Sequence, residues 1–401
     1  MLNPALETLN DFPFDRLRAL LGGLEPPKDL APLVLSIGEP QHAPPPVVAQ
    51  TLAASAHLWG KYPPVDGTPA FRRAVADWLT RRYALPAGMI DPDTQILPIA
   101  GSREALFMIG HLAVPRVKKA GRPVVLVPSP YYHVYSAVPQ LMGAEAVFVP
   151  ATAETGFLPD YAALDPALLD RVALAYLCTP SNPQGAVADI ESLKRNIALA
   201  EKHDFILAVD ECYTEIYMDG PPPGALQACA EMGSGLENVV VFHSLSKRSS
   251  VPGLRSGFVA GGPKTMALFR RLRSYGGASV PGPVIEASTA LWREESHVEA
   301  NRALYGAKFA VAERLLGPRF GPVTPAGGFF LWLNVGDGEA AARRLWTEAA
   351  IRVLPGAYMA RPDDAGGNPG AAYIRVALVH DLATTTGALE RLVKVLVTKI
   401  S

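Results

Sequence analysis

Val239-Val240-Val241-Phe242-His243-Ser244-Leu245-Ser246-Lys247-Arg248, continuing through Val251-Pro252-Gly253-Leu254-Arg255-Ser256-Gly257 to Phe258-Val259-Ala260, is the stretch on which the fold turns. A short β-branched apolar run empties into two hydroxyls, a lysine and an arginine, and a second apolar run comes after them. Short apolar runs bounded by turn residues read as buried strands. In open α/β sheets the ends of such strands are where ligand sites are built. A lysine there can form an imine if its amine is kept deprotonated by desolvation or by neighbouring cations, a part open to Arg248 and Arg255. Taken alone, the same residues also suit a basic surface turn.

Outward from this stretch, apolar runs recur at Gln95–Ile99, Val124–Val127, Ala146–Val149, Val172–Leu177 and Phe205–Val209. Arg103–Val114 and Ile190–His203 between them carry helical periodicity. Alternation of this kind means a largely parallel sheet wrapped by helices. Beyond Val280-Pro281-Gly282-Pro283 the pattern changes to a long Ala/Arg/Glu-rich helical region, a Gly327-Gly328-Phe329-Phe330-Leu331-Trp332-Leu333 strand and a short strand at Tyr373–Leu378. The expected organisation is α/β: an N-terminal arm (1–45), a large domain (46–280) and a smaller α+β domain (281–401).

Composition agrees and excludes other classes. The 401 residues exceed one ordinary core, and 49% apolar content fills two. A net charge of -1 provides no field for nucleic acid or anionic lipid. Pro123–Ala144 lacks charge, but Pro123, Pro128, Pro130 and Pro139 interrupt it, so it reads as strand, loop and short helix rather than a membrane span. Cys178, Cys212 and Cys229 are too far apart for a Cys-x-x-Cys pair, and no metal is expected. Sparse cysteine and a start without an export signal point to the cytoplasm.

Three further constellations sit at strand ends. Ala100-Gly101-Ser102-Arg103 opens a helix whose first amides suit a phosphate, although a serine-capped helix start reads the same way. Thr179-Pro180-Ser181-Asn182-Pro183-Gln184-Gly185 fixes an asparagine between two prolines, as a stiff turn or as a rigid polar contact. Val209-Asp210-Glu211-Cys212-Tyr213 ends an apolar run in a carboxylate, which burial forces to find a cation or a donor. A protonated heteroaromatic nitrogen is such a cation: at ~4 Å and an effective dielectric near 20 the attraction is about 4 kcal/mol.

In this order, with Pro130-Tyr131-Tyr132 between the first and second, the motifs resemble those of the fold-type-I pyridoxal 5'-phosphate enzymes, and among them the class I/II aminotransferases. The likeness runs from Ile37-Gly38-Glu39-Pro40 to Tyr373-Ile374-Arg375. It implies a large domain with a mostly parallel seven-stranded sheet and a smaller α+β domain. It also implies that Lys247 binds the cofactor as an imine and then moves the substrate proton. By the same matching Asp210 pairs with the pyridinium nitrogen, and Asn182 and Tyr213 bond the ring oxygen. Tyr132 stacks on the ring, while Ser102, Arg103, Ser244 and Arg255, with Ser246 a weaker candidate, hold the phosphate. Tyr62 matches a tyrosine that reaches the neighbouring subunit's phosphate, which implies a homodimer with shared sites. Arg375 matches the arginine that grips the substrate α-carboxylate, with the Gly38 amide beside it.

Within the family, Ser244–Gly261, Phe12-Pro13-Phe14-Asp15-Arg16-Leu17 and the Gly327–Leu333 strand are similar to those of succinyldiaminopimelate aminotransferases, except that Ser250 stands where asparagine is expected. The implied reaction exchanges an amino group between N-succinyl-L,L-diaminopimelate and 2-oxoglutarate in two half-reactions. The distal carboxylates need donors away from Arg375, for which Lys61, Arg248 and Arg273 are available. Rival readings are aspartate, alanine or aromatic aminotransferases, a C–S lyase, and a ligand-sensing regulator built on the same fold. The last carries a DNA-binding domain ahead of the fold, whereas the likeness here begins near the N-terminus.

Overall fold

Seven strands form the large sheet: β1 (Ile96–Ile99), β2 (Val124–Ser129), β3 (Glu145–Pro150), β4 (Val172–Cys178), β5 (Ile206–Asp210), β6 (Val239–Ser244) and β7 (Gly257–Gly261). Their spatial order is β1-β7-β6-β5-β4-β2-β3. In this computed structural model, which describes residues 2–9, 12–362 and 366–397, β2 through β6 pair in parallel and β7 runs antiparallel to both of its neighbours. Two reversals leave β1 pointing the same way as β6, so six strands end at one edge.

The unbroken apolar runs are explained by burial on both faces. Side chains alternate across a strand. Val124 and Leu126 of β2, Leu207 and Val209 of β5, and Val239 and Val241 of β6 therefore enter one core layer, with Phe71, Trp78, Ile197 and Trp292. Val125, Val127, Ala208, Val240 and Phe242 enter the opposite layer, with Leu106, Ile109, Tyr135 and Phe269. Helices Ser102–Ala113, His133–Met142 and Pro263–Arg273 cover that second face; Pro69–Tyr83, Ile190–His203, Ala225–Met232 and Gly282–Arg293 cover the first.

A separate core lies beneath a three-stranded antiparallel sheet of β8 (Phe330–Asn334), β9 (Leu354–Pro355) and β10 (Tyr373–Ala377), with β10 in the middle. Helices Ser296–Phe320, Gly338–Ala349 and Leu382–Val397 pack on it. Leu17, Leu20, Leu21 and Leu35 of the N-terminal arm join the same core, and Leu33–Val34 pairs in parallel with Ile351–Arg352. Val284, Ile285, Leu291 and Trp292 belong to the large-sheet core, whereas Tyr305, Phe309 and Leu316 belong to the small one. By core membership the change of body falls between Trp292 and Tyr305. Among the described residues, no helix is long and apolar enough to cross a membrane.

Candidate active site

Because the parallel strands end at one edge, the loops beyond them share a rim. Ser102 follows β1, Tyr132 follows β2, Asn182 follows β4, Asp210 ends β5 and Ser244 ends β6. The small body closes the rim with Arg375 of β10, and the arm adds Gly38. All of these, with Arg103, Tyr213, Ser246, Lys247 and Arg255, line one cavity of about 520 Å³. Tyr62 is absent from that lining and stands fully exposed.

Lys247 lies in the one-turn helix Leu245–Arg248, with Ser244 as N-cap accepting from the Ser246 amide at 3.2 Å. Its Nζ donates to the Gly38 carbonyl at 2.6 Å and lies 5.2 Å from the centre of the Phe329 ring. Burial lowers its pKa to about 8, and Arg375 and Arg255 push the same way against Cys212 and Glu39. Desolvation dominates, so the amine is readied mainly by its depth and less by neighbouring cations.

Asp210 is buried and, among the described residues, is met by donors rather than by a cation. Its Oδ2 accepts from the Tyr135 hydroxyl at 2.6 Å and its Oδ1 from the Cys212 amide at 3.2 Å. Burial raises its pKa despite these bonds. A carboxylate placed this way gains most from a cationic partner arriving in the cavity.

At the anionic end, the helix Ser102–Ala113 begins with Gly101 as N-cap and has no side-chain cap, so its first amides keep their bonding capacity. Ser102 does not cap the helix; its hydroxyl accepts from the Cys212 thiol at 3.0 Å. Arg103 Nε donates to the Tyr132 hydroxyl at 2.9 Å. Arg255 has a left-handed backbone (φ 55), and its guanidinium is held by the Pro252 and Ala100 carbonyls at 2.9 and 3.1 Å. Gly101, at φ 87, leaves room for it: a Cβ there would stand 2.2 Å from Arg255 Nη2.

Arg375 sits on the middle strand of its sheet, 4% exposed, which rules out a solvent-facing edge position. Its Nη1 donates to Asn182 Oδ1 at 2.9 Å, its Nη2 to the Ser36 carbonyl at 2.6 Å, and the Phe330 ring lies 4.3 Å away. Among the described residues its buried Nε has no hydrogen-bond partner, and burial lowers its pKa to about 10. A Cβ on Gly38 would stand 2.4 Å from Phe330 Cζ, so this approach requires glycine.

Two proposed distal-carboxylate donors are corrected. Arg248 is 2% exposed and points away from the cavity, donating to the carbonyls of Leu291 and Glu294 and to Glu295 Oε1 at 2.5 Å. Arg273 is likewise buried, against the Pro98 and Ala278 carbonyls. Neither lines the cavity, and neither does the exposed Lys61. Arg248 therefore anchors the lysine turn, with its charge spent on a helix end.

Sequence reasoning also missed residues. Tyr135, which binds Asp210, lies one helical turn beyond Tyr132, a spacing that could have pointed to it. Cys212 touches both Asp210 and Ser102, two residues after the aspartate. His133 lines the cavity just after the Pro130-Tyr131-Tyr132 motif, and Glu39 and Phe14 line it from within the Ile37–Pro40 and Phe12–Leu17 motifs, none of them having been given a role. Burial, with Arg103 and Arg375 adding to it, drops His133 to about 4, so it faces the cavity as a neutral imidazole.

The residues present fit pyridoxal phosphate: a buried amine, a buried carboxylate met by neutral donors, and an uncapped helix start beside two arginines. Fold and site together define a fold-type-I pyridoxal-phosphate enzyme. The family model for "Aminotransferase class I and II" matches residues 32–392, and the chain belongs to that family. It is 31% identical over 360 residues to the 4-dedimethylamino-4-oxo-anhydrotetracycline transaminase OxyQ of Streptomyces rimosus, covering 89% of this chain and 92% of the relative. An LL-diaminopimelate aminotransferase of Dehalococcoides mccartyi is 32% identical over 324 residues, 79% of each chain. Among solved structures, an aminotransferase from Neisseria meningitidis is 42% identical, with a TM-score of 0.93 over 98% of this chain and 99% of that one.

Proposed function

We propose that this aminotransferase moves the amino group of N-succinyl-L,L-diaminopimelate to 2-oxoglutarate, with Lys247 as its reacting amine. The observation that carries the choice of Lys247 is its buried amine, at about 8, in the same cavity as Asp210 and Arg375. When bound, pyridoxal phosphate supplies an electron-poor conjugated ring that takes up the electron pair left at the substrate Cα. With the cofactor held there, Lys247 would take the substrate Cα proton and deliver it on the cofactor side of the imine nitrogen, a role that requires an amine neutral near working pH. Asp210 would hold the ring nitrogen protonated, and Tyr135 and the Cys212 amide hold Asp210 in turn. Asn182 and Tyr213 would bond the ring oxygen, and Tyr132 would cover the ring. Ser102, Arg103, Ser244 and Arg255 would receive the phosphate. Arg375 makes a two-pronged bond to the substrate α-carboxylate, with the Gly38 amide beside it, and so sets the direction of the Cα–H bond. Holding that carboxylate also works against decarboxylation.

The choice of donor is supported by the likeness of Ser244–Gly261 to succinyldiaminopimelate aminotransferases. A second reading, unblocked LL-diaminopimelate as donor, is favoured by the relatives of that name. We place the enzyme in the cytoplasm, consistent with its three free cysteines, and as a homodimer in which Tyr62 serves the partner's site.

Half-reactions test the proposal. Each donor is mixed alone with the enzyme, and loss of the visible absorbance of the lysine-bound cofactor is followed. Succinyldiaminopimelate should react fastest; faster reaction with LL-diaminopimelate selects the second reading, and preference for aspartate, alanine or aromatic donors refutes both. Lys247→Ala should abolish the band and lower turnover by about 10³-fold or more.

A further inference from the structure

A second buried lysine lies behind Lys247. Lys308, on the helix Ser296–Phe320, is 1% exposed. Its ammonium is met by the Leu378 carbonyl at 3.1 Å and by His42 Nε2 at 2.6 Å, with Asp381 acting only at longer range. His42 Nδ1 lies 2.6 Å from Asn301 Oδ1, and Asn301 Nδ2 donates to the carbonyls of Lys247 at 3.2 Å and Arg248 at 3.4 Å.

The chemistry of the first group fixes the direction of the whole chain. Burial lowers the pKa of Lys308 to about 8, so below that pH it is an ammonium, which donates and cannot accept. His42 Nε2 must therefore accept, which leaves the proton of the neutral ring on Nδ1 to be donated to Asn301 Oδ1. That bond turns the Asn301 amide nitrogen toward the two carbonyls. Burial lowers the pKa of His42, and Lys308 adds to this against the Asn301 bond, in keeping with a neutral ring.

The lysine turn needs such support. Leu245–Arg248 is four residues long, and the last carbonyls of a helix lack partners within it. The relay supplies donors to two of them. The same cluster reaches Lys247 from a second side: His42 packs on Tyr305 (4.6 Å), Tyr305 stacks on Phe329 (5.3 Å), and Phe329 lies 5.2 Å from Lys247 Nζ. Ser250, at φ 52, ties in the His42 backbone through a 3.0 Å bond from its hydroxyl.

We propose that Lys308, His42 and Asn301 are positioning residues for the reaction, a one-way hydrogen-bond relay that fixes the backbone of Lys247 and makes the aim of its amine depend on the seating of the arm and the long helix. This rests on Lys247 being the reacting amine. Retained activity in Lys247→Ala would show that premise wrong, whereas the tautomer of His42 is read independently of it.

Long-range ¹⁵N–¹H spectra of the holoenzyme, with His42 assigned through His42→Asn, should show a neutral ring protonated on Nδ1. An Nε2-protonated ring or an imidazolium would overturn the relay. Asn301→Leu and His42→Leu should each lower kcat per bound cofactor about tenfold, the scale of one lost hydrogen bond, with KM for the amino donor within about twofold because Arg375 is untouched. His42→Asn puts an amide donor where Nδ1 stood and should keep kcat within about threefold. If both leucine variants lose only thermal stability, with kcat per cofactor intact, the residues are merely structural and the proposal fails.

Discussion

Lys247 and Arg375 show what a single residue gains from its surroundings. The folded pKa of Lys247, about 8, lies below the ordinary 10.5. Only the neutral amine attacks an aldehyde, so capture of pyridoxal phosphate by the apoenzyme, monitored by stopped-flow absorbance, should accelerate as pH rises toward about 8 and level off above it. The linkage has a matching sign. Between about 8 and 10.5 the unfolded chain holds the extra proton, so the contribution of Lys247 to apoenzyme stability rises with pH across that window. Arg375→Lys keeps a charge but loses the fork. It should raise KM for the donor and lower kcat/KM by about 30-fold, ~2 kcal/mol, read from steady-state kinetics. An unchanged donor profile would mean that another group grips the carboxylate.

At the scale of elements, five strands of the large sheet, β1, β2, β4, β5 and β6, each end in their own piece of the cavity. The apolar runs of the inner strands were legible because a strand buried on both faces carries an almost continuous hydrophobic signal. The loop at a strand's end was legible where glycine or proline narrows its conformations, as at Gly101 and around Asn182. Gly101→Ala tests one such loop. The φ of 87 and the contact with Arg255 make the substitution costly, by about 1–3 kcal/mol in backbone strain. Displacing Arg255 should also weaken pyridoxal-phosphate affinity by about 10- to 100-fold, the loss of one charge-assisted bond. Equilibrium titration of the apoenzyme measures it. Tyr135 was not legible in the same way, because its role arises from a hydrogen bond to Asp210, far along the chain.

At the scale of the whole molecule, the large and small bodies meet at the cavity, lined by Tyr131 and Cys178 from the one and by Phe330 and Leu354 from the other. The cavity takes Lys247 and Asp210 from the large body, Arg375 from the small one and Gly38 from the arm, so a shift of one body against the other changes the distance between amine and clamp. Tyr62, Trp59 and Tyr275 are exposed on this chain, as surfaces that a partner would cover. Sedimentation should find a dimer, and Tyr62→Phe should weaken cofactor affinity about tenfold without dissociating it. A monomer with full activity would remove the shared-site reading.

By itself, the sequence determined the alternation of strands and helices, the lysine, aspartate and asparagine at strand ends, and the family likeness. These are local: each depends on the order of apolar and polar residues within a few positions, or on a loop locked by proline and glycine. Only the tertiary structure decided the fate of the charges. Arg248 and Lys247 are adjacent in sequence, and nothing local distinguishes them. One faces the cavity and loses most of its hydration, while the other turns back to cap the helix Gly282–Arg293 beside Glu295. Burial and charge pairing come from segments distant in the chain, so which cation faces the cavity and which holds the frame is decided only when the two bodies pack.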